Sequence, residues 1–360
     1  MLRFILALCM SVCLAAISVS AQQKESASGA EIGTLFGLSH LSDNGEDVTL
    51  IGLPSASLLY IYQNPSIYVS WFSNERLAFG PEFSLGRFSV EGHSITSLFL
   101  SGRTAFHSGS VSTSGAYVFC RGALLLSIDN RSGESESDTD VSVGAGLGYC
   151  WPLASGLVVR AEGGYRRWFE DPGVNEFSLL LGLGARAGHA SAVEDSRSTR
   201  AEIGTLFGLS QLSIDGDGLT LIGIPLAPLP GITQNLYPSI YVSWFPDDRF
   251  SIRPEFGLGR ASVDGESITS LYLAGQTGFH SGDVAASGAY VFGHGAIRVI
   301  SAGESESDTD VGAGAGLGYR WRARSGLVVR AECRYRRWFD DPGTNEFSLL
   351  LGLGASIGGS

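Results

Sequence analysis

Two short stretches carry the side chains of nucleophilic catalysis. "FHSG" at 106–109 and again at 279–282 sets His107 beside Ser108 and His280 beside Ser281. A serine becomes a nucleophile when a base within hydrogen-bond reach takes its proton and a third group orients that base. Neighbouring residues on an extended strand point to opposite faces, and no orienting acid stands nearby, so adjacency here works against the chemistry. The stretch "GESESDTD" at 133–140 and 303–310 places Glu134, Glu136, Asp138 and Asp140, and then Glu304, Glu306, Asp308 and Asp310, at every second position. Oxygen-rich loops bind calcium, but the ligand order and glycine turn of an EF-hand are missing, and the segment reads as a solvated loop. "DVGAGAGLGYRWR", 310–322, invites comparison with a phosphate-cradling turn. A dinucleotide fingerprint needs its third glycine three places after the second, where this chain has Leu317.

The glycine spacing of two is instead the period of a β-strand. Gly312, Gly314, Gly316 and Gly318 then share one face, with Val311, Leu317, Tyr319 and Trp321 on the other. "DVSVGAGLGYCWP" at 140–152 repeats the pattern. The expectation is small opposite large: bare glycines leave room for Arg330, Glu332, Arg334 and Arg336 on the neighbouring strand.

The positioning elements come in two sets, because the chain is a tandem duplication. "AEIGTLFGLS" opens both copies at 30 and 201, "SIYVSWF" recurs at 66 and 239, and "NEFSLLLGLGA" at 175 and 345. Repeats of this size are duplicated domains, not solenoid units. In the first copy eight strands are predicted, at 30–41, 66–72, 77–89, 94–106, 115–128, 141–151, 157–169 and 176–186. Short turns and longer connections mostly alternate, as in antiparallel strands that cross a membrane. The exceptions are a short "EGHS" at 91–94 where a loop is expected and a long "HSGSVSTSG" at 107–115 where a turn is expected.

Strand parity separates two kinds of face. One carries Phe79, Phe83, Leu98, Phe106, Leu124, Tyr165, Phe177, Leu179 and Leu181. The other carries glycine, serine and a charge network: Glu82, Arg103, Arg121, Arg160, Glu162 and Arg166 in the first copy, and Arg253, Glu255, Arg298, Arg320, Arg330, Glu332, Arg334 and Arg336 in the second. The net charge of −12 excludes a nucleic-acid partner, which would call for a basic stripe. Lys24 is the only lysine. Cations that are all arginine suit an enclosed face, where the planar fork pairs with carboxylates. A soluble barrel would turn its apolar face inward and a lysine-rich face outward, and this composition suits the inverse. The six tryptophans form three matched pairs, Trp71/Trp244, Trp151/Trp321 and Trp168/Trp338, each at a strand end. Strand ends are where the aromatic girdles of a spanning barrel sit.

"MLRFILALCMSVCLAAISVSAQQ" reads as a secretory signal peptide, residues 1–21, cleaved after Ala21. A polar segment, 22–29, precedes the first barrel repeat at 30–188; a linker at 189–200, expected on the periplasmic side, joins it to the second repeat at 201–358. Cys120, Cys150 and Cys333 have no cysteine counterpart in the other repeat and are expected to be free thiols.

These features resemble the eight-stranded outer-membrane β-barrel domain of the OmpA-like and OmpX-like family, over both repeats. The resemblance implies an all-β fold of two tandem eight-stranded antiparallel transmembrane barrels. It also implies a Gram-negative outer membrane, insertion by the barrel-assembly machinery, and termini in the periplasm. Such chains usually end in an aromatic residue, whereas this one ends "GASIGGS". The expected role is non-enzymatic, structural or surface-interacting, with no cofactor and no metal. Its expected partners are outer-membrane lipid, lipopolysaccharide and an unidentified extracellular ligand. Arg167 and Arg337 of "RRWF" stand where lipopolysaccharide phosphate would lie. One alternative is a single sixteen-stranded barrel acting as a porin-like channel or transporter. Another is a lipid A-modifying enzyme using the histidine–serine stretches.

Overall fold

The computed structural model describes residues 29–43, 46–52, 57–58, 61–62, 67–90, 93–131, 134–153, 157–169, 174–187, 201–214, 217–223, 239–263, 266–284, 286–302, 306–322, 327–339 and 344–357. The predicted signal peptide and the 189–200 linker lie outside them.

Every element is a strand. The first repeat contains β1 (Ala30–Asp43), β2 (Glu46–Gly52), β3 (Ser57–Leu58), β4 (Ile61–Tyr62), β5 (Ile67–Phe72), β6 (Leu77–Val90), β7 (His93–His107), β8 (Gly115–Arg131), β9 (Glu134–Pro152), β10 (Leu157–Trp168) and β11 (Asn175–Ala187). The second contains β12 (Ala201–Ile214), β13 (Asp217–Gly223), β14 (Ser239–Trp244), β15 (Phe250–Val263), β16 (Glu266–His280), β17 (Gly288–Ala302), β18 (Glu306–Arg322), β19 (Leu327–Trp338) and β20 (Asn345–Ile357). Neighbours from β5 to β11 and from β14 to β20 pair antiparallel in sequence order. The first wall closes where β1 meets both β5 and β11, from Ala30↔Ala187 to Ser42↔Asn175. The second closes where β12 meets β14 and β20, from Ala201↔Ile357 to Ser213↔Asn345. The protein is therefore two closed eight-stranded antiparallel barrels.

In each barrel the second wall position is built from two pieces. β5 and β14 form its lower part inside their own repeats. The upper pieces cross over: β2 leaves β1 to pair with β15 of the second repeat, and β13 leaves β12 to pair with β6 of the first. The connection expected at 42–65 thus contains a strand that the polar residues on either side of it obscured.

The acidic segment is also strand, not loop. β8 and β9 continue to Arg131↔Glu134, and Glu134 to Thr139 are exposed on both faces. A hairpin that stands clear of the apolar belt has no buried face, so composition gave no sign of its backbone pairing. The long turn at 107–115 has a different cause. Its Val111 is buried; the Val111 N–H donates to the Glu75 carbonyl at 2.7 Å, and the Val111 carbonyl accepts from Arg186 Nη1. Val284 repeats this with Asp248 and Arg320. The extra residues fold inward and cover the lumen at the end where the chain enters and leaves.

Burial is inverted relative to a water-soluble barrel. Leu147 and Leu317 are 67% and 61% exposed, whereas Glu31 and Glu202 are 0% exposed and Arg160 and Arg330 1%. Leu98, read as outward, is buried. Apolar side chains turned out of a closed wall, with every strand's backbone paired sideways, match lipid as the surrounding solvent. The two barrels stand side by side, and Leu157, Leu183 and Ala185 of one face Leu327, Leu353 and Ala355 of the other across a narrow apolar crevice.

Candidate functional site: the ionic lumens

Each lumen is organised in layers around buried carboxylates. In the first barrel, Glu31 accepts from Arg160 Nε at 2.5 Å, Arg186 Nε at 3.1 Å and the Tyr68 hydroxyl at 2.8 Å. Above it, Glu162 accepts from Arg103 Nη2 at 2.7 Å and the Tyr117 hydroxyl at 2.6 Å, while Glu82 lies 3.8 Å from Arg103. Higher again, Arg166 sits 3.4 Å from Glu176.

The second barrel repeats the carboxylates. Glu202 takes Arg330 Nε at 2.7 Å, Arg320 Nε at 2.8 Å and Tyr241 at 2.7 Å. Glu332 takes Arg253 Nη1 at 2.6 Å and Arg334 Nε at 2.9 Å, and Arg334 Nη2 reaches Glu255 at 2.7 Å. Arg336 pairs with Glu346 at 3.4 Å, and Arg298 with Asp310. The structure thus brings the predicted network residues together inside the two barrels. Arg121 is buried with them and donates to Ser178 Oγ at 3.3 Å.

The carboxylates hold matched positions in the two repeats, but three arginines of the first lumen do not, and Arg298 of the second stands where the first has Leu125. Arg186 on β11 serves Glu31, with Cys150 of β9 3.5 Å from its Nη2. In the second barrel the position of Cys150 is Arg320, which serves Glu202, and the position of Arg186 is Ser356. Arg103 on β7, opposite Gly80, serves Glu162. Its counterpart is Gln276, opposite Arg253, and Arg253 serves Glu332. Arg121 on β8 reaches within 3.1 Å of a Cβ built on Gly164. Its counterpart is His294, and that of Gly164 is Arg334. In these three cases the layer keeps its guanidinium, while the strand that supplies it changes and the vacated position takes a residue other than arginine. Repeat-by-repeat alignment contains this signal, but only the cross-strand register shows that the exchanged positions share a layer.

The alternating glycines receive more than arginines. Gly314 faces Arg336, Gly316 faces Arg334 and Gly318 faces Glu332 in the β18–β19 register, as expected, but Gly312 faces Trp338, and Arg330 stands opposite Arg320 instead of a glycine. The tightest side-chain neighbours are rings from the strand on the other side: a Cβ on Gly316 would lie 2.4 Å from Phe292 and from the Cys333 carbonyl, and one on Gly318 2.5 Å from Tyr290. Gly146 and Gly148 receive Phe119 and Tyr117 in the same way. The Arg103 guanidinium then lies over Phe119, 4.5 Å from the ring centroid. Gly316→Ala is expected to cost about 1–3 kcal/mol through overpacking, read as a lower urea midpoint of the full-length protein in detergent. Gly293→Ala is the control, because nothing lies within 4 Å of its added Cβ.

Of the six tryptophans, Trp151, Trp244 and Trp321 are exposed and face outward, and Trp71 is half-buried. Trp168 and Trp338 do not belong to the girdle. They are 1% and 2% exposed, and their indole N–H groups donate to Glu176 at 3.1 Å and Glu346 at 2.9 Å. Trp168 is in phase with Arg160, Glu162 and Arg166, so it follows them into the lumen. The histidine and serine of "FHSG" point apart: His107 and His280 are buried against Tyr117 and Tyr290, while Ser108 and Ser281 are exposed, and Ser108 donates to the Ala116 carbonyl. His280 lies 3.1 Å from Ser251 Oγ inside the lumen. Among the described residues no group of histidine, cysteine and acid could hold a metal ion, and Cys120, Cys150 and Cys333 are free thiols.

No family model matches the chain, and no curated protein is similar to it. Among solved structures, Neisserial surface protein A is 12% identical over 44% of this chain and 97% of its own, with a TM-score of 0.32. Ail, the attachment invasion locus protein of Yersinia pestis, is 15% identical over 44% and 97%, with a TM-score of 0.28. The translocator domain of the autotransporter NalP from Neisseria meningitidis is 11% identical over 98% and 96%, with a TM-score of 0.22. At these scores the fold rests on the chain's own strand pairing. Closed antiparallel barrels with an outward apolar belt are the spanning architecture of bacterial outer membranes, and this chain is an outer-membrane β-barrel protein.

Proposed function

We propose that the protein is a non-conducting, non-enzymatic pair of outer-membrane barrels, of the OmpA-like and OmpX-like kind, whose role is structural or surface-interacting. The observation that carries this reading is the filled, internally compensated lumen. Among the described residues, buried arginines and carboxylates stand five against five in the first barrel and six against five in the second. A selectivity filter or anion pore instead presents a ring of one sign to a water-filled path. An eight-stranded wall encloses a space that side chains fill, and the inward turns at Val111 and Val284 cover one end of it. Closure of each barrel base on itself, through β5 and β14, argues against the porin-like alternative. The separation of His107 from Ser108 argues against a lipid A-modifying enzyme, since nucleophile and base must meet.

Interaction with the surroundings then falls to the outside. Arg337 is exposed, with Asn345 Oδ1 3.1 Å from its Nη1, and Arg167 holds the matched outer position. Lipopolysaccharide phosphate is their natural partner. The protruding β8–β9 and β17–β18 hairpins are the surfaces offered to an extracellular ligand. Insertion by the barrel-assembly machinery belongs to the same reading.

The test is electrical. The purified full-length protein, reconstituted in a planar bilayer, is expected to show no discrete conductance steps. Steps of fixed size that persist through repurification and vanish in a mock preparation would replace this reading with a channel.

A further inference from the structure

The crossed-over pieces at the loop end have an unusual symmetry. In the structure Val48 pairs with Val263, Thr49 with Ser262, Leu50 with Ala261 and Ile51 with Arg260. The other crossover pairs Leu219 with Val90, Thr220 with Ser89, Leu221 with Phe88 and Ile222 with Arg87. Had each piece stayed in its own repeat at the matched register, Val48 would meet Val90, Thr49 would meet Ser89, Leu50 would meet Phe88 and Ile51 would meet Arg87. The second repeat would likewise join Leu219 to Val263, Thr220 to Ser262, Leu221 to Ala261 and Ile222 to Arg260.

Summed over both pieces, the two arrangements contain the same set of directly opposed residue pairs. Each has one Val–Val, one Leu–Val, two Thr–Ser, one Leu–Ala, one Leu–Phe and two Ile–Arg. Cross-strand pairs are the unit of sheet stabilisation, so the directly opposed pairs do not distinguish crossed from uncrossed pairing; the diagonals differ only in whether Leu219, as here, or Val48 stands diagonal to Phe88. The rest of the wall is indifferent as well. β2 keeps its hairpin with β1 and β13 its hairpin with β12 in either case. The barrel bases are held separately, by β5 and β14.

We propose that the rim is a two-state device. In one state, the crossed pairing, the loop end is a single sixteen-stranded mouth shared by both repeats. In the other it is two separate eight-stranded mouths. The filled lumens below are the same in both, so the exchange reshapes the outward surface without opening a path across the membrane. Any ligand that binds one mouth better draws the population towards it by its differential affinity.

Disulfide trapping in the full-length protein tests this. Directly opposed residues of an antiparallel pair have Cα atoms about 4.5–5.5 Å apart, within disulfide reach. On a background with Cys120, Cys150 and Cys333 changed to serine, Thr49→Cys, Ser89→Cys, Thr220→Cys and Ser262→Cys are combined, the membranes oxidised, and linked peptides mapped by mass spectrometry. The expected result is both sets, 49–262 with 89–220 and 49–89 with 220–262, neither below about a tenth of the other. One set alone, of either kind, overturns the proposal. Should the fourfold variant not assemble, the two-cysteine variants T49C/S262C and T49C/S89C decide it: both should cross-link, and failure of either has the same meaning as a single set.

Discussion

Glu202→Gln should cost the second barrel about 3–5 kcal/mol, the usual penalty for removing one partner from a buried ion pair. Glu202 is fully buried and is the common acceptor for Arg320, Arg330 and Tyr241, all within 2.8 Å. Glutamine keeps the shape but removes the charge, and its amide nitrogen turns a donor towards one of the two guanidinium groups, Arg320 at the Oε2 position or Arg330 at the Oε1 position. Those cations cannot escape to water: each is 1% exposed and enclosed by the wall. The measurement is the urea concentration at which the full-length protein, in detergent, loses its folded mobility on an unboiled gel. With a urea slope of about 1–3 kcal/mol per molar, the midpoint should fall by roughly 1–5 M. Glu134→Gln, at an exposed position, should leave it unchanged. An unchanged midpoint for Glu202→Gln would mean that the lumen is wet enough to screen these charges, and the filled-lumen reading would fail with it.

The second large effect is a rescue. Arg186→Ser removes one of the donors to Glu31 and is expected to cost about 1.5–3 kcal/mol, the range for a hydrogen bond to a charged group. Adding Cys150→Arg copies the arrangement of the second barrel, where Arg320 and Ser356 occupy these positions. It should restore most of the loss. Cys150→Arg alone places two such guanidiniums over one carboxylate and should be harmful, so the double variant is more stable than either single change predicts. Additive or worse behaviour of the double variant would show that the layer does not transfer between strands.

Much of the fold was legible because lipid imposes a period of two on every strand. Phe177, Leu179 and Leu181 alternate with Glu176 and Ser178 strictly enough to read both faces. What escaped had specific causes. Trp168 was assigned by its place at a strand end, although its phase with Arg166 sends it inward. The pairing of Glu134 with Arg131 left no pattern, because a hairpin with two exposed faces needs no alternation of polarity. The crossing of β2 and β13 is invisible for a deeper reason: crossed and uncrossed ladders use the same directly opposed residue pairs. The lumen residues could be named from parity, but which carboxylate each arginine serves depends on the layer it reaches across the barrel.

The relocated arginines bear on how the two halves of the gene can recombine. A barrel assembled from β1 to β9 of the first copy and the last two strands of the second would bring Cys150 together with Ser356, leaving Glu31 without its second cation. The reciprocal product would crowd Arg320 and Arg186 against Glu202. Crossovers between the copies are thus penalised across most of their length by events that have already occurred inside each lumen. The segments 46–52 and 217–223 carry none of the relocated arginines, so trading them leaves every lumen layer intact.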